Sequence, residues 1–553
     1  MSSLTPAQRL GASPLQPEVA LPAINVKLPS VSAIAHAIVS NLPTTCGLFR
    51  RYDTYITIDM VNDTMPDGST FRKLQVREMT PTRLCSWLEQ FMCFRNGSDD
   101  NAKATTLGKQ TVEKIMASDI FHSAIKEVRE IAKVRLPIWE TAPDGTRHVV
   151  LAKPGYNPTM KLYVAPELDF SLDDAQRVTP AIAARVWSTL VKDYPFLAES
   201  PGEEKQTWPY MQETMEGPCP WTNRSACCAM AFMLGSFARY LYERAPIIII
   251  NGNQPGTGKS LLGQMCLSPV WGLASFTDKP RDDEEMTKVL NMVALEQKPY
   301  VFFDDVANVV SQSINEFATA AVRTGRVLGT AKSFEVPYRT QAIFTGNGLT
   351  TTPDIVRRSL IIDLWFDGDA TKRKLSNPTE KNKFADLSWR ANMLTLCWAM
   401  VRNWAEKGYP LTTPATAKPS FESFAQVVGS ILHVNGFHSP FRSRSADVAG
   451  GDLIGAAVLE LIEHIAYMQR TNMQEQLHTY SIADIIQFSD ALGLTVTITR
   501  DKKQHMAMGN QLRKWRGRTM HDRDGFPFEF GKGESAASSN YTFALKPKKD
   551  TQA

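Results

Sequence analysis

The feature that most constrains this chain is the segment NQPGTGKSLL, residues 253–262, which follows four consecutive isoleucines at 247–250. The isoleucine run predicts a buried strand, and the residues after the loop are helical in character. A glycine-rich turn between a strand and a helix N-terminus points backbone N–H groups at phosphate oxygens. In such a loop Lys259 reaches the β- and γ-phosphates and Ser260 ligates Mg²⁺, so the sequence predicts a site for ATP and Mg²⁺.

The predicted nucleotide-binding segment consists of Asn253, Gln254, Pro255, Gly256, Thr257, Gly258, Lys259, Ser260 and Leu261. Asn253 stands where the usual pattern begins with glycine. Asparagine tolerates a left-handed backbone better than most residues, so we expect it to replace that glycine. The alternative is an ordinary glycine-rich loop between a strand and a helix.

Length and composition set the class of protein. A chain of 553 residues with 43% hydrophobic residues can bury several cores, and its formal charge of +4 requires that any nucleic-acid affinity come from a local basic patch. The eight cysteines contain no CxxC pair, which argues against a zinc ribbon and a disulfide framework. Without a signal peptide or a long apolar span, we expect a cytoplasmic protein with no membrane partner.

Periodicity and composition along the chain predict a multidomain α/β protein. The expected parts are a disordered leader (1–30), an N-terminal α/β domain (31–196), a linker (197–222), a nucleotide-binding domain (223–370), a helical region (371–470) and a winged-helix-like domain (471–548).

Two apolar segments downstream end in polar residues suited to phosphate chemistry. YVFFDDV (300–306) predicts a strand that places Asp304, together with Ser260, at the Mg²⁺ and Asp305 beside the attacking water. AIFTGNG (342–348) predicts a third strand, after which the amide of Asn347 orients that water. The alternative for the carboxylates is a solvated acidic turn.

Arg357 and Arg358 follow in TTPDIVRRSLIIDL, just before a further apolar strand. A cation in this place can stabilise transition-state charge across a subunit boundary, as an arginine finger does. The sequence does not choose between the two arginines, and a solvated surface pair is the alternative.

The order of these elements resembles the superfamily 3 helicases within the AAA+ ATPases, in particular helicase-like proteins of phages, plasmids and integrated elements related to poxvirus-type primase-helicases. The resemblance covers about residues 225–365. It implies a central AAA+ P-loop ATPase, with a parallel sheet flanked by helices, that forms a homo-hexameric ring. It also implies single-stranded or forked DNA as partner, with other replication proteins such as a primase or a polymerase.

The segment TGRVLGTAKSFEVPYRTQ (324–341) alternates as two strands of a hairpin. In the resembled family the corresponding hairpin carries a basic residue onto the DNA backbone. Lys332 is the predicted contact, with Phe334 packing on sugar or base. A solvated hairpin tip is the alternative.

The C-terminal region predicts a second DNA contact. Helices over 480–493 and 504–520, followed by two strands within 526–546, outline a winged helix whose basic segment suits duplex phosphates, such as those of an origin. A solvated basic helix or a protein-docking face is the alternative. The predicted DNA-binding residues of this segment are Arg513, Lys514, Arg516 and Arg518.

Residues 31–200 contain no DxD-type cluster, zinc-ligand spacing or nuclease constellation that would indicate synthesis or nuclease chemistry, and we expect a DNA-binding or ring-forming collar there. The whole pattern predicts a ring-forming, ATP-dependent DNA helicase or translocase for replication of a phage or mobile element. The alternatives are an AAA+ switch or loader that assembles on DNA without unwinding it, and an NTPase that senses or remodels protein.

Overall fold

The computed structural model describes most of the chain, and the following account concerns that part alone. The described residues are 21–44, 46–52, 54–64, 70–97, 102–197, 223–326, 333–366, 368–373, 381–441, 453–471, 479–499, 504–522, 526–532 and 541–545.

The first part of the chain alternates short strands and helices. Its strands are β1 (Ala23–Asn25), β2 (Leu48–Arg51), β3 (Thr54–Thr64), β4 (Thr70–Glu78), β5 (Cys93–Asn96), β6 (Lys103–Thr105), β7 (Glu130–Ala132), β8 (Pro137–Thr141), β9 (Arg147–Leu151), β10 (Gly155–Asn157) and β11 (Leu162–Val164). Its helices are α1 (Val31–Asn41), α2 (Pro81–Leu88), α3 (Lys109–Met116), α4 (Asp119–Ala124), α5 (Leu172–Arg177) and α6 (Pro180–Val191).

The remainder contains longer helices and a central sheet. Its strands are β12 (Ile247–Gly252), β13 (Tyr300–Phe303), β14 (Asn308–Val309), β15 (Val322–Arg326), β16 (Ser333–Pro337), β17 (Gln341–Asn347), β18 (Thr350–Thr351), β19 (Ser359–Leu364), β20 (Thr479–Tyr480), β21 (Arg518–His521), β22 (Pro527–Lys532) and β23 (Tyr541–Leu545). Its helices are α7 (Arg224–Phe237), α8 (Lys259–Trp271), α9 (Asp283–Leu295), α10 (Gln312–Thr319), α11 (Pro353–Arg357), α12 (Leu387–Glu406), α13 (Glu422–Val434), α14 (Leu453–Thr471), α15 (Ile482–Ala491), α16 (Thr495–Thr499) and α17 (Gln504–Leu512).

The chain divides into two compact units. The first comprises residues 1–136 and 151–169, and the second comprises 137–150 and 170–553. The hairpin of β8 and β9 belongs to the second unit because the Trp139 ring packs edge-on against Trp404 and its indole N–H donates to the carbonyl of Leu241, 3.1 Å away. The structure therefore does not divide at residue 196, the predicted end of the N-terminal domain, and the predicted linker from 198 onward lies outside the described residues.

The first unit is built on small sheets. β2, β3 and β4 form an antiparallel meander, and β1 pairs in parallel with β5, so that Ile24 lies opposite Phe94 in a buried cluster. The predicted leader therefore differs from the structure at residues 23–25, because this short segment supplies an edge strand. Residues 1–20 lie outside the described part of the chain.

The second unit contains a four-stranded parallel sheet in the order β13, β17, β12, β19. All residues of β12 are buried, as expected of a central strand of a parallel sheet whose two faces are both covered. Helix α8 packs closely on this sheet at Gly263, where an added Cβ would lie 2.5 Å from the Phe302 ring. The protein is thus a mixed α/β protein with one parallel sheet at the centre of its second unit.

The C-terminal residues form an antiparallel sheet in the order β20, β23, β22, β21, which packs with α14, α15 and α17 in one apolar cluster. The prediction of a helix over 504–520 is wrong beyond Leu512. Residues 513–515 form a 3-10 turn, Gly517 takes a φ of 73°, and residues 518–521 pair with β22. No helix in the described part of the chain is both long and apolar enough to cross a membrane.

Candidate nucleotide-binding site

The predicted phosphate loop connects β12 to α8, at the carboxyl ends of the parallel strands. β12 ends at Gly252 and α8 begins at Lys259. Within the loop, Gly256 has a φ of 84° and Gly258 a φ of 95°, values that residues with a Cβ rarely adopt. The two glycines therefore let the backbone turn sharply enough to bring successive N–H groups to the start of a helix, which is the arrangement that binds phosphate.

Asn253 acts through its side chain. Its backbone φ is not among the positive values, so the expected left-handed conformation is not found. Instead its Nδ2 donates to the carbonyl of Phe366 at 2.9 Å, and its Oδ1 accepts from the N–H of Phe366 at 3.2 Å. Gln254 extends this contact, since its Nε2 donates to the carbonyls of Phe366 and Gly368. The loop is thereby attached to the segment that follows β19.

The ammonium group of Lys259 lies inside the loop, with only 7% of the residue exposed. Its Nζ donates to Asn347 Oδ1 at 2.6 Å and to the carbonyl of Gln254 at 3.2 Å. Burial lowers the pKa of Lys259, and the carboxylates of Asp305 and Asp304 oppose that shift. The described hydrogen bonds of this buried ammonium group all go to neutral oxygens, so the site favours an incoming polyanion.

The hydroxyl of Ser260 and the carboxylate of Asp304 meet at the same edge of the sheet. Ser260 Oγ donates to Asp304 Oδ1 at 2.6 Å, and Thr345 Oγ1 donates to that same oxygen. A hydroxyl and a carboxylate are hard oxygen ligands of the kind that Mg²⁺ takes beside phosphates. The predicted metal ligands therefore fit the ion, since the two residues are already in contact.

Asp305 differs from its neighbour in conformation and partners. It has a φ of 50°, a left-handed value that costs free energy for a residue with a Cβ. Its N–H donates to Thr345 Oγ1 at 3.0 Å, and its Oδ1 accepts from Asn347 Nδ2 at 3.4 Å. The turn directs the two adjacent carboxylates to different partners, Asp304 toward Ser260 and Asp305 toward Asn347.

The strand order explains how Asn347 reaches both groups. β17 lies between β12 and β13, so its last residue emerges between the phosphate loop and the carboxylates. The preceding residue, Gly346, makes room for this approach: a Cβ there would lie 2.1 Å from the carbonyl oxygen of Val306. The Asn347 side chain thus accepts from Lys259 and donates toward Asp305 at the same time.

A buried polar network behind the loop was not predicted. Asn251 Oδ1 accepts from the N–H of Leu349 at 3.0 Å, and Asn251 Nδ2 donates to Asp363 Oδ1 at 3.1 Å. Asp363 Oδ2 lies 3.6 Å from a guanidinium nitrogen of Arg224 on α7. These side chains are all buried, and the network fixes the turn after Asn347 to the strand that leads into the phosphate loop. Asn251 directly follows the isoleucine run, which marks it as a polar residue in a buried strand, but the sequence does not indicate its partners.

The two predicted finger arginines occupy different environments. The side chain of Arg357 is 48% exposed, and one of its nitrogens lies 3.5 Å from the carboxylate of Asp354. Arg358 is turned inward, where its NH1 donates to the carbonyl of Asn315 at 3.3 Å. Of the two, Arg357 is therefore the side chain that can reach a neighbouring molecule.

Arg373 lies beside the loop and was not predicted. A Cβ built on Gly258 would lie 4.0 Å from Arg373 NH2 and 3.2 Å from the Tyr194 ring. The guanidinium lies over the Phe366 ring, 5.7 Å from its centroid, and its buried Nε and NH1 have no hydrogen-bond partner among the described residues. Burial lowers the pKa of Arg373, while Asp193 and Tyr194 raise it. Nothing in the sequence near Arg373 marks it, since the contacts of Phe366, Gly368 and Ala370 with Gln254 bring it here.

The predicted DNA contacts are placed only in part. β15 and β16 form the expected antiparallel hairpin, but Lys332 lies outside the described residues. Phe334 is half-buried, with its ring against Gly325 of the partner strand. Arg513 is exposed, and Arg516 lies over the Tyr541 ring at 4.9 Å. Lys514 and Arg518 lie on the described backbone, and nothing is shown of their side chains.

Comparison with known proteins adds little to this geometry. No protein family model matches the chain, and no curated protein matches it. Among solved structures, the chain is similar to the A-form apo structure of the NrS-1 C-terminal region, which comprises residues 305–718 of that protein. The two share 10% sequence identity at a TM-score of 0.29, and the match covers 88% of this chain and 96% of that one.

Proposed function

We propose that this protein is an AAA+ P-loop ATPase that converts ATP hydrolysis into movement along a DNA strand, as a ring-forming helicase or translocase in DNA replication. The observation that carries the proposal is the meeting of three chain segments at one edge of the parallel sheet: the loop after β12, the turn after β13 and the end of β17. The loop lysine lies 2.6 Å from Asn347, and Ser260 lies 2.6 Å from Asp304. A nucleoside triphosphate is the ligand that uses all of these groups together.

Each side chain has a definite task in this proposal. The loop N–H groups and Lys259 bind the phosphates, and Ser260 and Asp304 hold Mg²⁺, which neutralises charge on the phosphate oxygens when bound. Asp305 accepts a hydrogen bond from the attacking water, and Asn347 orients that water. The Asn347 side chain contacts both Lys259 and Asp305, so it couples the position of the phosphates to the position of the water.

The exposure of Arg357 supports the proposal that the protein forms a ring. Arg357 is exposed just before β19, and a neighbouring copy of the chain can use it as an arginine finger. In the hexamer that we propose, hydrolysis in one subunit then depends on the next. The hairpin of β15 and β16 carries Lys332, the proposed contact to the strand, and the C-terminal residues Arg513, Lys514, Arg516 and Arg518 are the proposed contacts to duplex.

The experiment that tests this function is ATP hydrolysis with and without single-stranded DNA, together with unwinding of a forked duplex. Lys259→Ala is the matched inactive variant. We expect DNA-stimulated hydrolysis and unwinding in the wild type and neither in the variant. DNA-stimulated hydrolysis without unwinding would favour a loader. A rate of hydrolysis that DNA does not change would favour a protein remodeller. A mass measurement with and without nucleotide tests the ring.

A further inference from the structure

The first unit contains a cavity that the ATPase proposal does not use. Its volume is about 460 Å³, within the range of about 300–1,000 Å³ typical of ligand pockets. Its wall includes the end of α1, the start of β2, the segment after α4, and the strands β10 and β11. All of these elements lie in the same compact unit, so the cavity is a feature of that unit alone.

Three aromatic rings form one side of this cavity. The Phe49 ring lies 5.5 Å from Tyr156 and 5.1 Å from Tyr163, measured between centroids. Phe49 is buried, whereas the two tyrosines are half-exposed and line the opening. The hydroxyl of Tyr156 donates to the carbonyl of Glu127 at 2.7 Å, which holds the ring in place. A fixed aromatic face beside an open cavity is a surface on which a planar base can stack.

A cation stands at the edge of that aromatic face. Lys126 is exposed, and its Nζ lies 5.8 Å from the centroid of the Tyr156 ring and 3.4 Å from the carbonyl of Thr44. The nearby carboxylate of Glu127 is engaged elsewhere, with Lys161, with Arg129 at 3.0 Å and with Arg50 at 3.8 Å. The described contacts of the Lys126 ammonium group are therefore with the neutral carbonyl oxygen of Thr44 and with the Tyr156 ring.

The segments around the cavity are basic as a group. Residues 46–52, 124–130 and 153–163 contain Glu127 and Glu130 as their only acids. Their basic residues are Arg50, Arg51, Lys126, Arg129, Lys153 and Lys161. A local positive surplus of this kind complements a phosphate backbone, although the whole chain is close to neutral.

We propose that this cavity binds single-stranded nucleic acid, with a base stacked on Tyr156 and the adjoining phosphate bound by Lys126. A base alone would need only the rings, and a phosphate alone would need only the lysine. The presence of both at one opening favours a strand over a free protein segment or a simple anion. The contacts are to a π-face and a phosphate, so we expect little dependence on base sequence.

Binding of fluorescein-labelled oligo-dT to the full chain tests this site. The measurement is made without nucleotide and with EDTA, so that the result does not depend on ATP hydrolysis. We expect Tyr156→Ala to weaken binding about tenfold and Tyr156→Phe, which keeps the ring but loses the hydrogen bond to Glu127, to weaken binding much less. Lys126→Glu should weaken binding and reduce the slope of log K against log salt by about 0.7 or more. Lys109→Glu, at an exposed lysine on α3 of the same unit, is the matched charge control and should have a smaller effect.

Photocrosslinking keeps the proposal testable if a variant fails to fold or if other DNA contacts dominate the affinity. Wild-type chain irradiated with 5-iodouracil-substituted DNA, or with the matching RNA, should crosslink at Tyr156 or at a neighbouring wall residue. Crosslinking by either strand supports the site. Absence of any crosslink within the first unit would overturn it. So would equal effects of Lys126→Glu and Lys109→Glu, or competition by free dTMP as strong as by the oligonucleotide.

Discussion

Lys259 Nζ lies 2.6 Å from Asn347 Oδ1, and this hydrogen bond joins the phosphate loop to the end of a strand 88 residues further along the chain. The pairing is possible because β17 lies directly beside β12. The Asn347 side chain thus contacts the cation that we propose binds phosphate, and its amide nitrogen faces the carboxylate of Asp305 at 3.4 Å. Substitutions at the two residues should therefore separate binding from turnover.

Lys259→Ala should abolish nucleotide binding, because the phosphates lose their fixed cation. Asn347→Ala should leave the affinity for ATP nearly intact and lower kcat by about 10²-fold, the typical effect of removing one oriented polar group. Equilibrium binding of a fluorescent ATP analogue and steady-state hydrolysis measure the two effects. Loss of binding in Asn347→Ala, or normal hydrolysis in Lys259→Ala, would contradict the assignment.

Arg357→Ala and Arg358→Ala should now give different results. Arg357 is exposed, so its loss should spare ATP binding and folding but lower turnover by about 10³-fold. Arg358 donates to the carbonyl of Asn315, so its loss should reduce the free energy of unfolding by about 1–3 kcal/mol. Mixing Arg357→Ala subunits with wild type should also suppress hydrolysis by the wild type. A linear, purely diluting effect in the mixture would argue against a shared site.

Burial lowers the pKa of Lys259 below its ordinary 10.5. The affinity for ATP should therefore begin to fall at a lower pH than it would if this lysine were exposed. Between that lowered pKa and 10.5 the unfolded chain holds a proton that the folded chain has released. Over this pH range, the free energy of unfolding of the nucleotide-free protein should therefore rise with pH because of Lys259. Urea unfolding across alkaline pH measures this change, and Lys259→Met, which cannot titrate, should lack that contribution. An identical pH profile in both proteins would contradict the prediction.

The strand, loop and helix of the candidate nucleotide site were predictable because their signals are local. An isoleucine run, two glycines two residues apart and a following lysine indicate strand, loop and helix without knowledge of the rest of the fold. The carboxylates and Asn347 were predictable as well, since parallel strands with polar residues at their carboxyl ends bring these residues to one edge of the sheet.

Other features depend on packing between distant segments. Asn251 and Asp363 meet only because β12 and β19 are neighbours, and no pattern in either strand predicts the pair. The C-terminal helix ends at Leu512 although the sequence continues with good helix formers, because residues 518–521 pair with β22. In both cases tertiary pairing overrides the local preference.

Asn251→Ala should lower both stability and turnover. The substitution leaves the buried N–H of Leu349 and the carboxylate of Asp363 without one of their partners, at a cost of about 1–3 kcal/mol in the free energy of unfolding. It also releases the turn after Asn347, so we expect kcat to fall more than the affinity for ATP. Thr395→Ala is a useful comparison, because the hydroxyl of this buried threonine in α12 donates to the carbonyl of Ala391 in the same helix. If both variants changed kcat and affinity in the same proportion, the network would have a purely structural role.

Asn253→Gly gives this loop the glycine that is usual at its first position, and we expect it to weaken the site. The variant loses the two hydrogen bonds that join the loop to the backbone of Phe366, each worth about 1 kcal/mol. The segment carrying Arg373 should then detach more easily, so ATP affinity should fall together with the melting temperature. Asn253→Asp should have an ATP affinity and a melting temperature between those of the wild type and Asn253→Gly. It retains the acceptor for the N–H of Phe366 but loses the donor to the carbonyl of Phe366. Equal or tighter ATP binding by Asn253→Gly would show that the asparagine only replaces a glycine, and that the contact with Phe366 has no part in nucleotide binding.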